Sequence, residues 1–464
     1  MTLPTDQELA VGLPGSPAYD EATRVFNLAA PARPSTAVTA RSVEDVRLAL
    51  ARARADGTGV RVHTTGHASG ATRPMDGALL IRTRMTGRVE IDAVHRTARV
   101  PAGTTWGEVA KAAAPHGLAA PHGSAPGVGV VGYLLGGGVS FYGRYTGLAA
   151  NSVRAVELVT ADGDLVRADA VGDAELLWAL RGGGGGFGIV TAVEIGLFPA
   201  ARVVTGGAYW SAAHARPLLD TWREWTRRAP REATTTLRIM NLPPVPGVPP
   251  ELAAGPVLCV DGAVLAATGN DVPAALGRAE ELLGPLREIA PVLMDTWAPT
   301  DPVGVLSAHM DPEDPVPFIG DHQLLRELGD DGAEAFLRAV GPGSGSPFAV
   351  ATLRQLGGAF SESHPHGGAL SQVDADYAYM GSGPPFGPVT VEALERHCAV
   401  VREALAPWDT GRTIPSLVES GRRPASHLDR ASTEAVARVR SRMDPKGLFA
   451  GDVARHTAAG QLPG

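Results

Sequence analysis

Pro121-His122-Gly123-Ser124-Ala125-Pro126-Gly127-Val128-Gly129-Val130-Val131-Gly132-Tyr133-Leu134-Leu135-Gly136-Gly137-Gly138 is the stretch on which the fold turns. Glycines at this density normally mark a linker, but a linker is polar, and here the intervening residues are apolar. Glycine interrupts regular elements at an entropic cost, so the pattern suits a backbone laid against a flat or extended ligand. Upstream, His63-Thr64-Thr65-Gly66-His67-Ala68-Ser69-Gly70 follows the β-branched run Val60–Val62. Small residues there let backbone N–H groups approach a pyrophosphate closely. Taken alone, that turn reads as an ordinary surface turn with an incidental histidine. Downstream come Arg144–Leu148, Asn151–Val153 and a third glycine loop, Arg181–Thr191 (RGGGGGFGIVT), leading into a strand. Three glycine-rich loops in one domain require three coincidences if none has a ligand.

The elements around these loops are mixed. Ser42 caps a helix with Val46, Leu50 and Ala53 on one side, Gly57 stops it, and Val60–Val62 follows as a strand. Short strands are expected at Ala78–Ile81, Arg88–Ile91 and Ala98–Val100, then a helix at Trp106–Ala114. Val153–Thr160 and Leu165–Ala168 form a hairpin, followed by a helix over Asp173–Leu180 and a strand over Ile189–Leu197. Beyond Pro199 the texture changes. Helices are expected at Val272–Leu286 and Ala333–Val340, and strands at Thr234–Met240 and Pro256–Val260 beside the proline-rich loop Pro243–Pro250. A last helix, Thr433–Arg442, is stopped by Asp444-Pro445. The fold class is α+β, with a first domain over residues 1–200, a second α+β domain with an antiparallel sheet over 201–405, and a C-terminal segment over 406–464 that returns to the first.

Bulk properties narrow the function. The chain has 464 residues, 44% of them hydrophobic and 19% charged, with a net charge of −8 and no basic run. That is enough length for two or more cores, and it lacks the electrostatic footprint of nucleic-acid binding. The start, MTLPTDQELAVGLPG, has no basic and apolar leader pattern, and no stretch offers about 18 uncharged apolar residues, so a cytoplasmic protein without a membrane partner is expected. Cys259 and Cys398 are the two cysteines, without metal-ligand spacing, so neither a disulfide framework nor a metal site is expected. A nicotinamide-binding loop at Gly184-x-Gly186-x-Gly188 is a poor alternative, because those glycines precede a strand instead of opening a helix.

In order along the chain, these segments resemble the berberine-bridge-enzyme-like branch of the FAD-linked oxidases, in the vanillyl-alcohol-oxidase superfamily with its PCMH-type FAD-binding domain. The resemblance covers most of the chain. It is carried by Tyr19-Asp20-Glu21 with Arg24 and Asn27, Gly66-His67, Leu134–Gly138, Gly147–Asn151, Ala161–Gly163, RGGGGGFGIVT, and the closing Asp444-Pro445 and Leu448-Phe449. It implies that His67 bonds the flavin 8α-methyl group and that His63, Thr64, Thr65, Gly66, His67 and Ala68 wrap the pyrophosphate. Gly123, Ser124, Gly127, Gly129, Gly132, Gly138, Asn151, Gly188, Ile189 and Val190 are then the further cofactor residues. Ala125 falls where many relatives carry a second, flavin-linking cysteine, so one link is implied. Val128 stands at the oxygen-gate position, where a small aliphatic side chain goes with oxidase behaviour.

The activity so implied passes a hydride from an alcohol, sugar or natural-product intermediate to flavin N5, a base taking the accompanying proton and O2 reoxidising the flavin to give H2O2. A bacterial tailoring role in secondary metabolism is the expected setting. Oxidative cyclisation or desaturation, a dehydrogenase, and a non-catalytic flavin-binding protein are the alternatives. Relatives carry a tyrosine base and a flavin-contacting asparagine near the C-terminus, and Arg412–Leu417 replaces both. Tyr377, Tyr379 and Tyr142, and the pair His364 and His366, are the substitute candidates. The bland alternatives are strand packing for the tyrosines and a solvated loop for the histidines. His116 and His122 are read as structural.

Overall fold

The computed structural model describes residues 9–71, 75–244, 247–420 and 427–450. Part of the N-terminal stretch read for a leader, part of the Pro243–Pro250 loop and the end of the C-terminal segment lie outside these residues. Three larger sheets organise the rest, beside a two-stranded pair of Leu118–Ala119 with Phe198–Pro199. The first is parallel, with Leu79–Thr83 between Thr36–Ala40 and Val60–His63. The helix Val43–Asp56 lays Val46, Ala49, Leu50 and Ala53 on it. Its start is a reciprocal Ser42/Asp45 capping box, and Gly57 closes it at φ 64°.

The second sheet is antiparallel, ordered Glu90–Asp92, Thr97–Pro101, Ile189–Gly196, Val153–Val159, Leu165–Asp169. The expected hairpin is its far edge. The third has eight strands. Its main path runs Met294–Asp295, Arg202–Ser211, Val257–Ala266, Ala233–Met240, Val350–Gln355, Tyr377–Gly383, Ile319–Leu325, and Ala298–Thr300 pairs beside Arg202–Ser211. Helices Ala215–Thr226, Val272–Ile289, Gly329–Val340 and Val391–Leu405 contribute Trp222, Leu282, Phe336 and Val401 to the core on one face of this sheet. The other face looks onto the glycine-rich stretch, where the Arg354 guanidinium lies 4.4 Å from the Phe141 ring centroid.

The sheet is larger than the sequence suggested. Ala233–Met240 and Val257–Ala266 are buried at every position, so they lack the inside–outside alternation that flags a half-exposed strand. Within the glycine-rich stretch, Val130–Leu135 forms a short helix. The C-terminal segment packs back on the N-terminal region. Helix Arg430–Met443 lies on Ala174–Leu180, and the Asp444 carboxylate accepts the N–H groups of Leu448 at 2.8 Å and Phe449 at 2.7 Å. Val60 N–H donates to Leu448 O at 2.9 Å, which fixes the strand leading into His63–His67.

Candidate flavin site

The turn after Val60–His63 is held from three sides. His63 Nε2 donates to Ala22 O at 2.7 Å, Thr64 and Thr83 share a hydroxyl hydrogen bond of 2.9 Å, and Arg82 Nε donates to Thr64 O at 3.0 Å. Gly66 has φ 71°, and a Cβ there would sit 2.6 Å from Val25 Cα. Any side chain would push the turn off its N-terminal support. Beyond it the His67 ring stacks on Phe26, centroids 3.9 Å apart and 11° from parallel. Its Nδ1 lies 2.9 Å from Thr65 Oγ1, while Nε2 is buried with no partner among the described residues. Burial pulls its pKa down to about 4 against the opposing charge of Asp311, so the imidazole is neutral at pH 7.

The loop 123–129 faces this histidine. A Cβ at Gly127 would meet His67 Cε1 at 3.7 Å, and one at Gly129 would meet Thr64 Cγ2 at 3.1 Å. The loop hangs from the start of helix Trp106–Ala113: Trp106 N–H donates to Val128 O at 3.0 Å and Gly107 N–H to Pro126 O at 2.9 Å. Gly132 lies open, with nothing within 4 Å of its Cβ position. Four buried polar atoms without partners among the described residues lie in these segments: His67 Nε2, Trp106 Nε1, His122 Nε2 and Tyr133 OH. Buried groups of this kind are nearly always satisfied, so small-residue loops edged by four unsatisfied atoms fit a long, polar, partly flat ligand such as a flavin dinucleotide.

The other cofactor candidates back the loops instead of meeting His67. Gly138 N–H donates to Ser416 Oγ at 3.1 Å, and Asn151 Nδ2 donates to Ser371 O at 2.9 Å. Gly188, at φ 147°, sits against Val159, and Ile189 and Val190 are rungs of the ladder to Val159 and Leu158. The preceding glycine loop is clasped by Arg440, which bonds Gly183 O and Gly185 O, and it leads into the strand Ile189–Gly196. His122 is buried, with Nδ1 donating to Gly123 O at 2.7 Å. Burial holds both His63 and His122 near pKa 4. A histidine lowered on folding binds its proton in the unfolded chain first. Stability is therefore fully present above the ordinary value of 6.5 and is lost as the pH falls towards about 4. The urea midpoint, followed from pH 7.5 to 4.5, should fall below pH 6.5.

The candidate bases are not brought to this site. Strand alternation turns Tyr377 and Tyr379 towards the helices, in the same core as Trp222 and Phe336. Tyr377 OH is hydrogen-bonded to Thr226 Oγ1 at 2.8 Å, and Tyr379 is 1% exposed. Tyr142 sits behind His122, its hydroxyl donating to Pro302 O at 3.4 Å. Burial raises the pKa of all three phenols. His364 and His366 lie on a surface loop, where His366 N–H donates to His364 Nδ1 at 3.1 Å. The Arg412–Leu417 segment is a clasp: Ser416 N–H donates to Gly136 O at 3.0 Å and Ile414 N–H to His322 Nε2 at 3.3 Å.

What the sequence did not reveal is a charged cluster on the sheet face opposite the helices. Arg238 Nη2 pairs with Asp261 Oδ2 at 2.6 Å and Nη1 donates to His309 O at 2.9 Å, while His309 Nδ1 lies 3.0 Å from the same carboxylate. Arg354 donates to Val139 O at 3.3 Å and Thr236 Oγ1 at 3.4 Å. Two residues beyond His309, Asp311 accepts Ser124 Oγ at 2.6 Å, which ties this sheet to the flavin loop.

Residues 34–169 match the model of an FAD binding domain. In structure, the chain superposes on Physcomitrella patens BBE-like 1 with a TM-score of 0.77 at 21% identity, covering 97% of each chain. The chain contains an FAD binding domain, within a fold shared with that BBE-like protein. This flavin domain is 35% identical over 175 residues to (R)-6-hydroxynicotine oxidase of Paenarthrobacter nicotinovorans, a match spanning 38% of this chain and 38% of that relative's length. Glucooligosaccharide oxidase from Acremonium strictum, described with a 6-S-cysteinyl, 8α-N1-histidyl FAD, has a TM-score of 0.75 at 20% identity, covering 97% of this chain and 98% of its own. Among the described residues of the flavin domain and its partner sheet, no helix is long and apolar enough to cross a membrane. Among the described residues, no group of three or more His, Cys, Asp and Glu could hold a metal ion.

Proposed function

We propose that the protein is an FAD-dependent oxidase in which His67 carries the flavin covalently. The observation behind this reading is the His67 imidazole, neutral, stacked on Phe26 and facing Gly127 with a buried ring nitrogen unpaired. FAD supplies a two-electron acceptor for a substrate hydride and returns the electrons to O2 as H2O2. The chain's own parts divide the remaining work. Backbone N–H groups of 63–68 hold the pyrophosphate, and His67 fixes the ring. Gly123, Ser124, Gly127, Gly129 and Gly132 leave room for the flavin face. One link is expected, since Ala125 offers no thiol. Val128, a small aliphatic side chain within the loop, supports the oxidase over the dehydrogenase.

The substrate side is the sheet face bearing Arg238, Asp261, His309 and Arg354. A cluster that is both cationic and anionic and nearly closed to water orients a small polar molecule through several directed hydrogen bonds. A cytoplasmic tailoring role in secondary metabolism is the setting we assign, consistent with relatives named for substrates as different as a hydroxynicotine and an oligosaccharide.

The test is an anaerobic and aerobic screen of secondary alcohols, reducing sugars and cyclic amines. Flavin bleaching without oxygen, followed by one peroxide per turnover in air, is the expected result. Bleaching that only an added quinone or dye reverses would make it a dehydrogenase. A bound flavin that no compound bleaches would mark a flavin-binding protein without turnover.

A further inference from the structure

We propose that Asp311 is the positioning residue that promotes flavin attachment at His67, by stabilising the positive charge that grows on the imidazole as its bond to the flavin forms. This rests on the covalent reading above. One short loop touches both groups: Ser124 Oγ donates to Asp311 Oδ2 at 2.6 Å, and three residues later Gly127 faces the His67 ring, 3.7 Å from Cε1 to its Cβ position. The field of Asp311 is also the one side-chain charge that shifts His67 upward, against burial.

The backbone shows that the chain puts this carboxylate there under constraint. Met310 has φ 53°, one of two non-glycine residues in the left-handed region among the described residues, a conformation that costs energy and persists only where both ends are held. His309 is held on one side by Arg238 and Asp261, and Asp311 on the other by Ser124. The Met310 sulfur accepts the Tyr209 hydroxyl at 3.0 Å. Relaxing Met310 would swing Asp311 off the flavin loop. Asp311 itself is half-buried, with one oxygen bonded to Ser124, so its charge is felt by the ring while the residue keeps a path to solvent.

Attachment forms one bond between an imidazole nitrogen and the flavin 8-methyl carbon, and breaks the imidazole N–H and one methyl C–H. Two electrons and two protons leave, and dioxygen takes them as hydrogen peroxide. A neutral imidazole attacks well but becomes cationic as it does so, and in a buried site that charge is costly unless an anion stands near. Asp311 meets that need and passes the imidazole proton on to solvent.

The experiment uses the full chain made in a riboflavin-starved host, mixed with FAD in air and quenched with acid at intervals. Acid-precipitable flavin gives the attachment rate, and peroxide is counted in parallel. Asp311→Asn should bind FAD and attach it at least about tenfold more slowly, while Asp311→Glu should recover a large part of the rate. Wild-type attachment in Asp311→Asn would overturn the inference. If that variant does not take up FAD, Ser124→Ala decides: slower attachment with FAD bound supports the inference, and an unchanged rate overturns it. A wild type that binds FAD but never holds it through acid would refute attachment at His67, a result distinct from normal attachment without Asp311.

Discussion

His67→Ala is expected to leave the protein yellow before acid and colourless after it. The loops that hold the dinucleotide are braced without this ring: Thr64 by Thr83 and Arg82, the 123–129 loop by Trp106 and Gly107. FAD should therefore still bind, with all of it released by trichloroacetic acid. Freed from its link, the flavin loses both a fixed position and a raised potential. Turnover should fall by roughly ten- to a hundredfold, since misplacement of a reacting group by about 1 Å carries a cost of that order. An acid-stable flavin persisting in this variant would show that another residue holds it.

Asp261→Ala should be the most destabilising of the substitutions considered. Asp261 is 0% exposed and holds two groups, Arg238 at 2.6 Å and His309 at 3.0 Å. Burial works to raise its pKa, but Arg238 and His309 outweigh that and keep it below the usual carboxylate range. Removing it leaves a buried guanidinium uncompensated, a loss of about 3–5 kcal/mol, read as a fall in the urea midpoint. Replacing both partners with apolar residues, Asp261→Leu with Arg238→Met, should restore most of the stability, though not the charged cluster. For a carboxylate held low, the stabilisation is present above its unfolded pKa and lost as the pH falls through the folded one. The gap between wild type and Asp261→Ala should therefore narrow only in strong acid. An equal gap at every pH would mean that the carboxylate contributes through packing alone.

The flavin half of the molecule was legible because its requirements are local. A cap at Ser42, a stop at Gly57, the turn at Gly66 and the loops around Gly127 and Gly138 each leave a mark within a few residues. The half around the eight-stranded sheet was not. Arg238, Asp261, His309 and Arg354 meet from four separate segments with no shared spacing, and the strands carrying three of them are buried on both faces, so no alternation set them apart. Tyr377 and Tyr379 misled for a related reason. They sit on a strand as expected, but the sequence does not say which face meets the flavin loops, and a one-residue change of register exchanges the faces. Ser416, in the segment lacking the expected tyrosine, took on a role that no motif announces: it ties the chain to Gly136 and Gly138.

Mass spectrometry of a tryptic digest measures directly whether the flavin is bonded to one histidine. The peptide that follows Arg61 and contains His67 should carry the whole flavin, with fragmentation placing it on His67 and no second modified peptide. An unmodified His67 peptide, with every flavin recovered free in the acid supernatant, would contradict that bond.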